Sequence, residues 1–501
     1  MSEGHEFCYF TTMLTITADS VQELDAKVRN TQSTIAGTNM KLRVMSFTHM
    51  DAFESVLPLC NPMKSVIRNG RRNALSADLG SIYPFTSYEV NDVGGIMLGT
   101  NSDNGSPVFI NAFNRAIYES ANMAIMGSSG KGKTFLSQTI LLRLRQQGVK
   151  IMAIAPIKGH EYRRACKAIG GSFIDFGPGS PHTINIMEIR KKTSTVQDIY
   201  ADNDSDNAHS LLLAHIPRIH TFIRLLYPTI SEYETNQVDQ AILRTYRKFG
   251  ITEKNPSLID PKNPSKFKTM PILKDLYEEL KTNTRENKQL LAAMHQYVDG
   301  SSNSFNGQTN VELNNLYTVL NLSKLTEKML TIGTYIVSLF VSDTCEEDLS
   351  QRKVVLFDEV WKLIGSAGNA YTALFVQELV KTLRALNACA ILTTQDIIDF
   401  FALDNGSYGK TILNNTKIKF ILGLSLEDQA EMIRKQLNLS REEKNRIMNY
   451  EQGEALLIAN RNHIEISVEA SNNETAIITT DPDTLLRLQQ HIRVTIDERR
   501  K

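Results

Sequence analysis

The sequence predicts an α/β protein whose core is a mostly parallel β-sheet with flanking helices. A strand pattern, a glycine-rich loop, a helix pattern and a second strand pattern follow one another between residues 121 and 154, which is the order of a βαβ unit. Strand and helix patterns alternate again after residue 316. With 501 residues, of which 42% are hydrophobic and 22% charged, the chain can bury a large core, and this composition excludes a disordered or fibrous protein.

Charge and cysteine content narrow the class of protein further. Fifty-five Lys plus Arg balance 55 Asp plus Glu, which argues against charge-driven binding of nucleic acid or membrane by the whole surface but not against a local basic patch. Five cysteines without a CxxC pair argue against a disulfide-stapled secreted domain and a zinc ribbon. Apolar stretches such as residues 331–341 are too short to cross a bilayer, and the first residues lack the basic start of a signal peptide. The sequence therefore predicts a soluble intracellular protein.

Residues 1–85 predict a small α+β unit ahead of the main body. Residues 7–16 have the aromatic and β-branched content of a strand, and residues 40–47 predict a second strand. Between them, Ser20 is a suitable N-cap for a helix whose apolar residues repeat with helical spacing.

The rest of the sequence predicts a core that is divided by an insertion. The core comprises residues 86–197 and 316–475. Residues 198–315 predict an all-helical insertion, because helical patterns alternate there with polar, proline-containing connectors. Residues 476–501 predict a C-terminal amphipathic helix with a charged tip.

An eight-residue glycine-rich loop follows the first strand of the βαβ unit. Glycines allow successive backbone N–H groups to point at phosphate oxygens, and the helix that follows adds its positive N-terminal dipole. A chance glycine-rich turn is the alternative, but the strand before the loop and the helix after it favour nucleotide binding. Lys133 is expected to bridge the β- and γ-phosphates and the Thr134 hydroxyl to hold Mg²⁺. The residues that fit the pattern GxxxxGK[ST] are Gly127, Ser128, Ser129, Gly130, Lys131, Gly132, Lys133 and Thr134.

A pair of carboxylates follows a second buried strand, at residues 353–357. Asp358 and Glu359 are expected at the carboxyl edge of the sheet, where open α/β sheets bind ligands. There Asp358 would orient Mg²⁺, and Glu359 would polarise the attacking water as a general base. A solvated acidic turn after a strand is commoner, but together with the glycine-rich loop this pair predicts nucleotide hydrolysis.

Three further residues are candidates near this site. Gln395 follows an apolar strand and is a candidate to sense the γ-phosphate or align the water, although capping of the next turn is an equal alternative. Arg384, placed on a predicted helix, is a candidate arginine finger for a neighbouring subunit, with a solvated surface arginine as the alternative. Trp361, the only tryptophan, is expected to pack beside the acidic pair.

In combination these motifs resemble a known family. They resemble the assembly ATPases of type IV secretion and conjugation, which are TraC-like proteins equivalent to the fourth VirB component within the HerA/FtsK P-loop superfamily. The wording of residues 158–171 is closest to versions from Gram-positive conjugative elements. The resemblance covers residues 50–470 approximately. It is carried by GSSGKGKT at 127–134, DEVW at 358–361, TTQD at 393–396, the stretch 168–189 and the lead-in 81–101.

The resemblance implies a RecA-like P-loop NTPase core and assigns residues by position. Many members have an Asp where this chain has Ala155, so the role of that Asp does not carry over. Arg384 lies in the helix that carries the family's candidate finger arginines. The matched positions are Lys133 and Thr134 for Walker A, Asp358 and Glu359 for Walker B, and Gln395 for the family's glutamine.

The resemblance also implies an ATP-hydrolysing, hexamer-forming motor that uses Mg²⁺ and powers channel or pilus assembly and substrate transfer. Its expected partners are membrane channel components and a coupling ATPase, at the cytoplasmic, inner face of the cell membrane. Members usually carry a long N-terminal domain, so this sequence is expected to start partway through it. A double-stranded DNA translocase of the same superfamily and a nucleotide-binding scaffold with negligible turnover are the alternatives. The neutral charge favours the motor that acts on proteins.

Overall fold

A computed structural model describes most of the chain. Its described residues are 7–37, 40–59, 61–76, 88–190, 210–283, 288–300, 303–364, 370–481 and 484. The chain forms two compact units, Met1–Ser87 and Tyr88–Lys501. No helix within the described ranges is long and apolar enough to cross a membrane.

In its described residues, the first unit combines three helices with two short antiparallel strands. As predicted, a helix begins after Ser20, whose hydroxyl accepts the Glu23 N–H. The predicted strand at residues 40–47 is wrong: the segment joins no sheet among the described residues and buries none of its side chains fully, and Phe47 is fully exposed in a turn at φ 65°. The elements are β1 (Phe7–Phe10), α1 (Val21–Ala36), α2 (His49–Val56), α3 (Lys64–Gly70) and β2 (Arg72–Leu75), and β1 pairs with β2.

The second unit contains an 11-stranded sheet, and this confirms the predicted α/β fold with a mostly parallel sheet. Its strands are β3 (Ile96–Asn101), β4 (Pro107–Ile110), β5 (Met123–Met126), β6 (Lys150–Ala155), β7 (Ser172–Asp175), β10 (Tyr317–Asn321), β11 (Lys353–Phe357), β12 (Ala388–Thr394), β13 (Ile418–Leu422), β14 (Glu454–Ala459) and β15 (Asn462–Val468); β8 (Ile259–Asp260) and β9 (Asn263–Phe267) form a separate ribbon. The order in the sheet is β4-β3-β15-β14-β13-β5-β12-β11-β6-β10-β7. The strands from β13 to β7 run parallel, and those from β13 to β4 pair antiparallel.

Helices cover both faces of this sheet. They are α4 (Lys133–Gln146), α5 (Gly159–Ala168), α6 (Leu211–Leu226), α7 (Glu232–Lys248), α8 (Leu273–Asn283), α9 (Lys288–Val298), α10 (Glu327–Glu347), α11 (Trp361–Ile364), α12 (Ala370–Thr382), α13 (Ile397–Phe400), α14 (Ser407–Asn414), α15 (Glu427–Leu437), α16 (Arg441–Asn449) and α17 (Asn472–Ile478). Met123 and Ile125 pack on the side of α4, whereas Ala124 and Met126 pack on the side of the insertion. Burial on both faces explains why the central strands are unbroken apolar runs.

The insertion is mostly helical and shares its apolar core with the sheet, through residues such as Phe222 and Leu276. The prediction that it is all-helical is wrong, because the polar, proline-containing connector forms the ribbon β8–β9. Two short side chains accept local backbone N–H groups there, Asp260 from Lys262 and Asn263 from Ser265. Such local hydrogen bonds favour a tight turn over a helix.

The predicted C-terminal helix, 476–501, lies largely outside the described residues. In the described part of this range, helix α17 ends at Ile478. The Arg143 guanidinium connects α17 to α4 through two hydrogen bonds of 2.9 Å to the Glu474 carboxylate.

Candidate nucleotide-binding site

The glycine-rich loop lies between the buried strand β5 and the start of α4, as the sequence predicts. Gly130 and Gly132 have φ values of 80° and 99°, in the left-handed region that favours glycine. Gly127 has a different constraint, because a Cβ atom there would lie 2.8 Å from Leu422 Cβ on the neighbouring strand β13. The loop therefore requires glycine for conformation at two positions and for close packing at a third.

Lys133, the first residue of α4, reaches back into its own loop. Its Nζ donates to the Gly127 carbonyl at 2.8 Å and to the Ser128 carbonyl at 2.9 Å. The side chain is buried, and burial lowers its pKa to about 8, although the charges of Glu359 and Asp358 act in the opposite direction. The ammonium therefore lies inside the loop.

Two other loop residues hold the loop against the sheet. The Ser128 N–H donates to the Gly423 carbonyl at 3.0 Å, and its hydroxyl accepts the Ser425 N–H at 2.9 Å. The Lys131 ammonium donates to the Tyr450 carbonyl at 2.6 Å, just beyond α16. Ser128 and Lys131 therefore hold the loop in position. The other backbone N–H groups of the loop and the Lys133 ammonium are the donors that suit phosphate.

The acidic pair lies at the same edge of the sheet as the loop. Strand β12 lies between β5 and β11, and all three are parallel. The Thr393 hydroxyl, near the end of β12, donates to Asp358 Oδ1 at 2.6 Å and accepts the Glu359 N–H at 3.1 Å. Thr393 was not among the predicted site residues, although it lies in the TTQD motif at 393–396, where an apolar strand ends.

Glu359 is held in an unusual conformation. Its φ of 53° lies in the left-handed region, which is rare for a residue other than glycine and asparagine. Its carboxylate Oε2 accepts the Trp361 indole N–H at 2.7 Å and the Gln395 backbone N–H at 3.3 Å. The prediction that Trp361 packs beside the acidic pair is confirmed.

Burial dominates the electrostatics of both carboxylates. It raises the pKa of Asp358 to about 7, assisted by the charge of Glu359 and opposed by the Thr393 hydrogen bond and by Lys133. Burial also raises the pKa of Glu359, opposed by the indole of Trp361 and by Lys133. Two desolvated carboxylates beside a desolvated ammonium are typical of a functional site.

Asp358 fits a divalent cation. Among the described residues, hydrogen bonds reach only its Oδ1, through Thr393, so Oδ2 is available to a cation or to water bound to one. A carboxylate and a hydroxyl such as that of Thr134 are ligands that Mg²⁺ prefers, with water and phosphate oxygens completing the shell.

Replacing Asp358 with asparagine is expected to stabilise the nucleotide-free protein at pH 8. A carboxyl whose folded-state pKa is raised contributes stability that is fully present below about pH 4 and is lost as the pH rises through 7. Asparagine does not ionise, so the variant does not lose stability in this way as the pH rises. Its free energy of unfolding should exceed that of the wild type by up to about 4 kcal/mol at pH 8. Thermal melting in EDTA from pH 4 to 8 measures this; a gap that does not widen with pH contradicts it.

Replacing Thr393 with valine is expected to destabilise the protein by about 1–3 kcal/mol. Thr393 is 1% exposed, so the change leaves Asp358 Oδ1 and the Glu359 N–H without their buried partner. Thr393→Ser keeps the hydroxyl and serves as the matched control. Urea unfolding compares the three proteins, and a loss of stability in Thr393→Val that is no larger than the loss in Thr393→Ser would contradict the role of the hydroxyl.

Two charged residues after β6 also act on the site. The Lys158 ammonium lies 3.9 Å from a Glu161 carboxylate oxygen. Its positive charge lowers the pKa of Lys133, and the negative charge of Glu161 raises that of Asp358. Both residues follow Ala155, which ends β6 beside β11. The positions of Lys158 and Glu161 in the sequence did not indicate that their charges act on the site.

Gln395 and Arg384 lie at opposite ends of β12. Gln395 is half-buried after the carboxyl end and contacts Glu359 through its backbone N–H. Arg384 is exposed and precedes the amino end of the strand, so it lies at the edge of the sheet away from the loop. Its predicted place on a helix is wrong: α12 ends at Thr382, and the chain turns back into β12 through i→i+3 turns. The arginine-finger role stays a prediction.

Comparisons with known proteins agree with this geometry. A family model described as the TraG P-loop domain matches residues 95–484. Protein TraC of Escherichia coli (strain K12) is 22% identical over 335 residues, which are 65% of this chain and 34% of TraC. The chain thus spans about a third of the length of this curated relative.

A solved structure of a VirB4 protein shows the same relationship. The structure of VirB4 of Thermoanaerobacter pseudethanolicus has a TM-score of 0.67 and 26% identity, and the match covers 77% of this chain and 100% of that chain. The plasmid coupling protein TrwB in complex with ADP and Mg²⁺ has a TM-score of 0.45 and 13% identity, with 79% and 93% covered. The resemblance to TraC-like and VirB4-like proteins is confirmed. Since the family model spans more than half of the sequence and includes both motifs, the chain belongs to the TraG P-loop domain family.

Proposed function

We propose that this protein is an ATPase, which hydrolyses ATP to ADP and phosphate as a motor of a type IV secretion or conjugation machine. One observation carries the proposal. The glycine-rich loop and the acidic pair follow strands on either side of β12 at one edge of a parallel sheet. Lys133 and the two carboxylates are close enough for their charges to shift one another's pKa.

Each residue has a distinct part in the proposed hydrolysis. The loop backbone binds the triphosphate, and Lys133 turns from the Gly127 and Ser128 carbonyls to the β- and γ-phosphates. Thr134 and Asp358 would hold Mg²⁺, which supplies charge neutralisation on the phosphates when bound.

Glu359 would act as the general base. As the water oxygen bonds to the γ-phosphorus, a water proton passes to the carboxylate. The bond to the β–γ bridging oxygen breaks, and its electron pair leaves with ADP. Gln395 lies beside this carboxylate and would align the water.

The resemblance to secretion and conjugation ATPases supports the proposed partners. They are further copies of the chain in a hexamer, membrane channel components and a coupling ATPase, at the inner face of the cell membrane. Because Arg384 lies away from its own loop, a finger role would act on a neighbouring subunit.

Mixing two inactive variants tests that role. Arg384→Ala subunits have an intact loop, and Lys133→Ala subunits have an intact arginine, so a mixture is expected to regain phosphate release. A mixture that stays as inactive as its components would remove Arg384 from catalysis in a neighbouring subunit.

Phosphate release by the purified chain with Mg²⁺ and ATP tests the proposed activity, with Glu359→Gln as the inactive reference. Equal rates in the two proteins at background level would indicate a nucleotide-binding scaffold. Adding double-stranded DNA tests the translocase alternative, because stimulation through phosphate contacts falls steeply with salt. No feature of the described residues favours that alternative.

A further inference from the structure

We propose that Trp361 is a positioning residue for catalysis, whose indole N–H holds one oxygen of Glu359 so that the other faces the attacking water. The inference rests on the proposed ATPase function and extends it to a residue beyond the loop and the acidic pair. Trp361 acts through Glu359 and has no direct contact with the reacting atoms in this assignment.

Within the described part of the chain, the hydrogen bonds to the Glu359 carboxylate all reach the same oxygen atom. Trp361 Nε1 and the Gln395 backbone N–H both donate to Oε2, at 2.7 and 3.3 Å. Among the described residues, none donates to Oε1. Two donors on one oxygen fix the orientation of the carboxylate plane and leave lone pairs of Oε1 for a water proton.

The backbone explains why residue 361 can reach residue 359. The left-handed conformation of Glu359 turns the chain sharply after β11. The Thr393 hydroxyl and carbonyl then accept the N–H groups of Glu359 and Val360, at 3.1 and 3.0 Å. The short helix α11 begins directly afterwards, at Trp361, which brings the indole N–H back towards the carboxylate. The left-handed turn at Glu359 therefore places the indole within reach of the carboxylate.

The indole is itself restrained. The Lys362 ammonium lies 4.1 Å from the centroid of the indole ring, a distance at which a cation is attracted to the face of the ring. A fixed donor to a charged acceptor forms a stronger hydrogen bond than a neutral pair. Without it, the flexible glutamate side chain would have to be ordered during the reaction, which raises the barrier.

Trp361→Phe keeps an aromatic ring and removes the N–H. We expect kcat to fall about tenfold, because one hydrogen bond to a charged group is lost, whereas KM and the Kd for Mg²⁺–ATP stay within about twofold. Tyr246→Phe is the matched control: it removes a buried aromatic donor 2.5 Å from the Met187 carbonyl, outside the site. The control is expected to lose stability but to keep its kcat.

A double-mutant cycle tests whether Trp361 acts through Glu359. In single-turnover measurements, adding Trp361→Phe to Glu359→Gln is expected to have no further effect, and additive losses would overturn the proposal. The emission of the single tryptophan gives a readout that needs no turnover. Glu359→Ala should shift this emission, whereas Glu232→Gln on α7 should not; an unchanged spectrum in Glu359→Ala would also overturn the proposal.

The outcomes distinguish the two proposals. An active wild type whose kcat is unchanged by Trp361→Phe overturns the role of Trp361 and leaves the ATPase function intact. A wild type that hydrolyses no ATP overturns both.

Discussion

Replacing Lys133 with alanine is expected to reduce kcat/KM for ATP by about a hundredfold or more, because it removes a preorganised cation from a buried site. The pKa of about 8 leaves the ammonium mostly protonated at pH 7, and a bound triphosphate would raise that pKa. The lysine already lies within the loop, held by two carbonyls. Little reorganisation is therefore needed when phosphate replaces those carbonyls.

Lys419→Met provides a matched control for that loss. Lys419 is a half-buried lysine whose pKa is also lowered to about 8 by burial, and its Nζ donates to the Thr416 carbonyl at 2.5 Å. It lies near the amino end of β13, away from the loop. Titration with a fluorescent ATP analogue should show lost affinity in Lys133→Ala and nearly unchanged affinity in Lys419→Met. Wild-type affinity in Lys133→Ala would contradict the assigned role.

The loop and the acidic pair were predictable because each is a short pattern of consecutive residues beside a strand. Residues 127–134 need only their own backbone and the helix dipole to suit phosphate. Asp358 needs only the end of a buried strand. A local pattern of this kind is visible in the sequence whatever the order of the strands.

Contacts between distant residues were not predictable in the same way. Thr393 reaches Asp358 only because β12 pairs with β11, and the order of strands in a sheet is decided by packing of the whole domain. The antiparallel strands β14 and β15 were missed for a related reason. Strand β14 is mostly apolar and β15 alternates polar and apolar residues, and neither pattern states the direction of the neighbouring strand.

Elements at the margins of the core differed most from their predicted structures. The apolar alternation of residues 40–47 suits a strand, but no partner strand or buried face is formed there. The helix before Arg384 ends early, because the chain must reverse into β12, with Asn387 in a left-handed conformation at φ 54°. In both places tertiary constraints outweigh local propensity.

Replacing Glu359 with glutamine is expected to lower kcat by about a hundredfold to ten-thousandfold, the range over which general-base catalysis contributes. The amide matches the carboxylate in shape and its oxygen can still accept the Trp361 N–H, but it cannot take a proton from water. Affinity for Mg²⁺–ATP should therefore be retained, so that the loss falls on kcat and not on KM. Phosphate release and nucleotide binding, measured on the same preparation, test this directly.

Asp358→Asn provides the contrasting variant, because it removes a proposed Mg²⁺ ligand and keeps the base. Its apparent affinity for ATP should fall most at low Mg²⁺ and recover in part at high Mg²⁺, whereas Glu359→Gln should be insensitive to added Mg²⁺. The two carboxylates are adjacent in sequence and both buried, so burial alone would give them the same phenotype. The two responses differ only if Asp358 holds the cation and Glu359 activates the water. Identical Mg²⁺ dependence in both variants would contradict these separate roles.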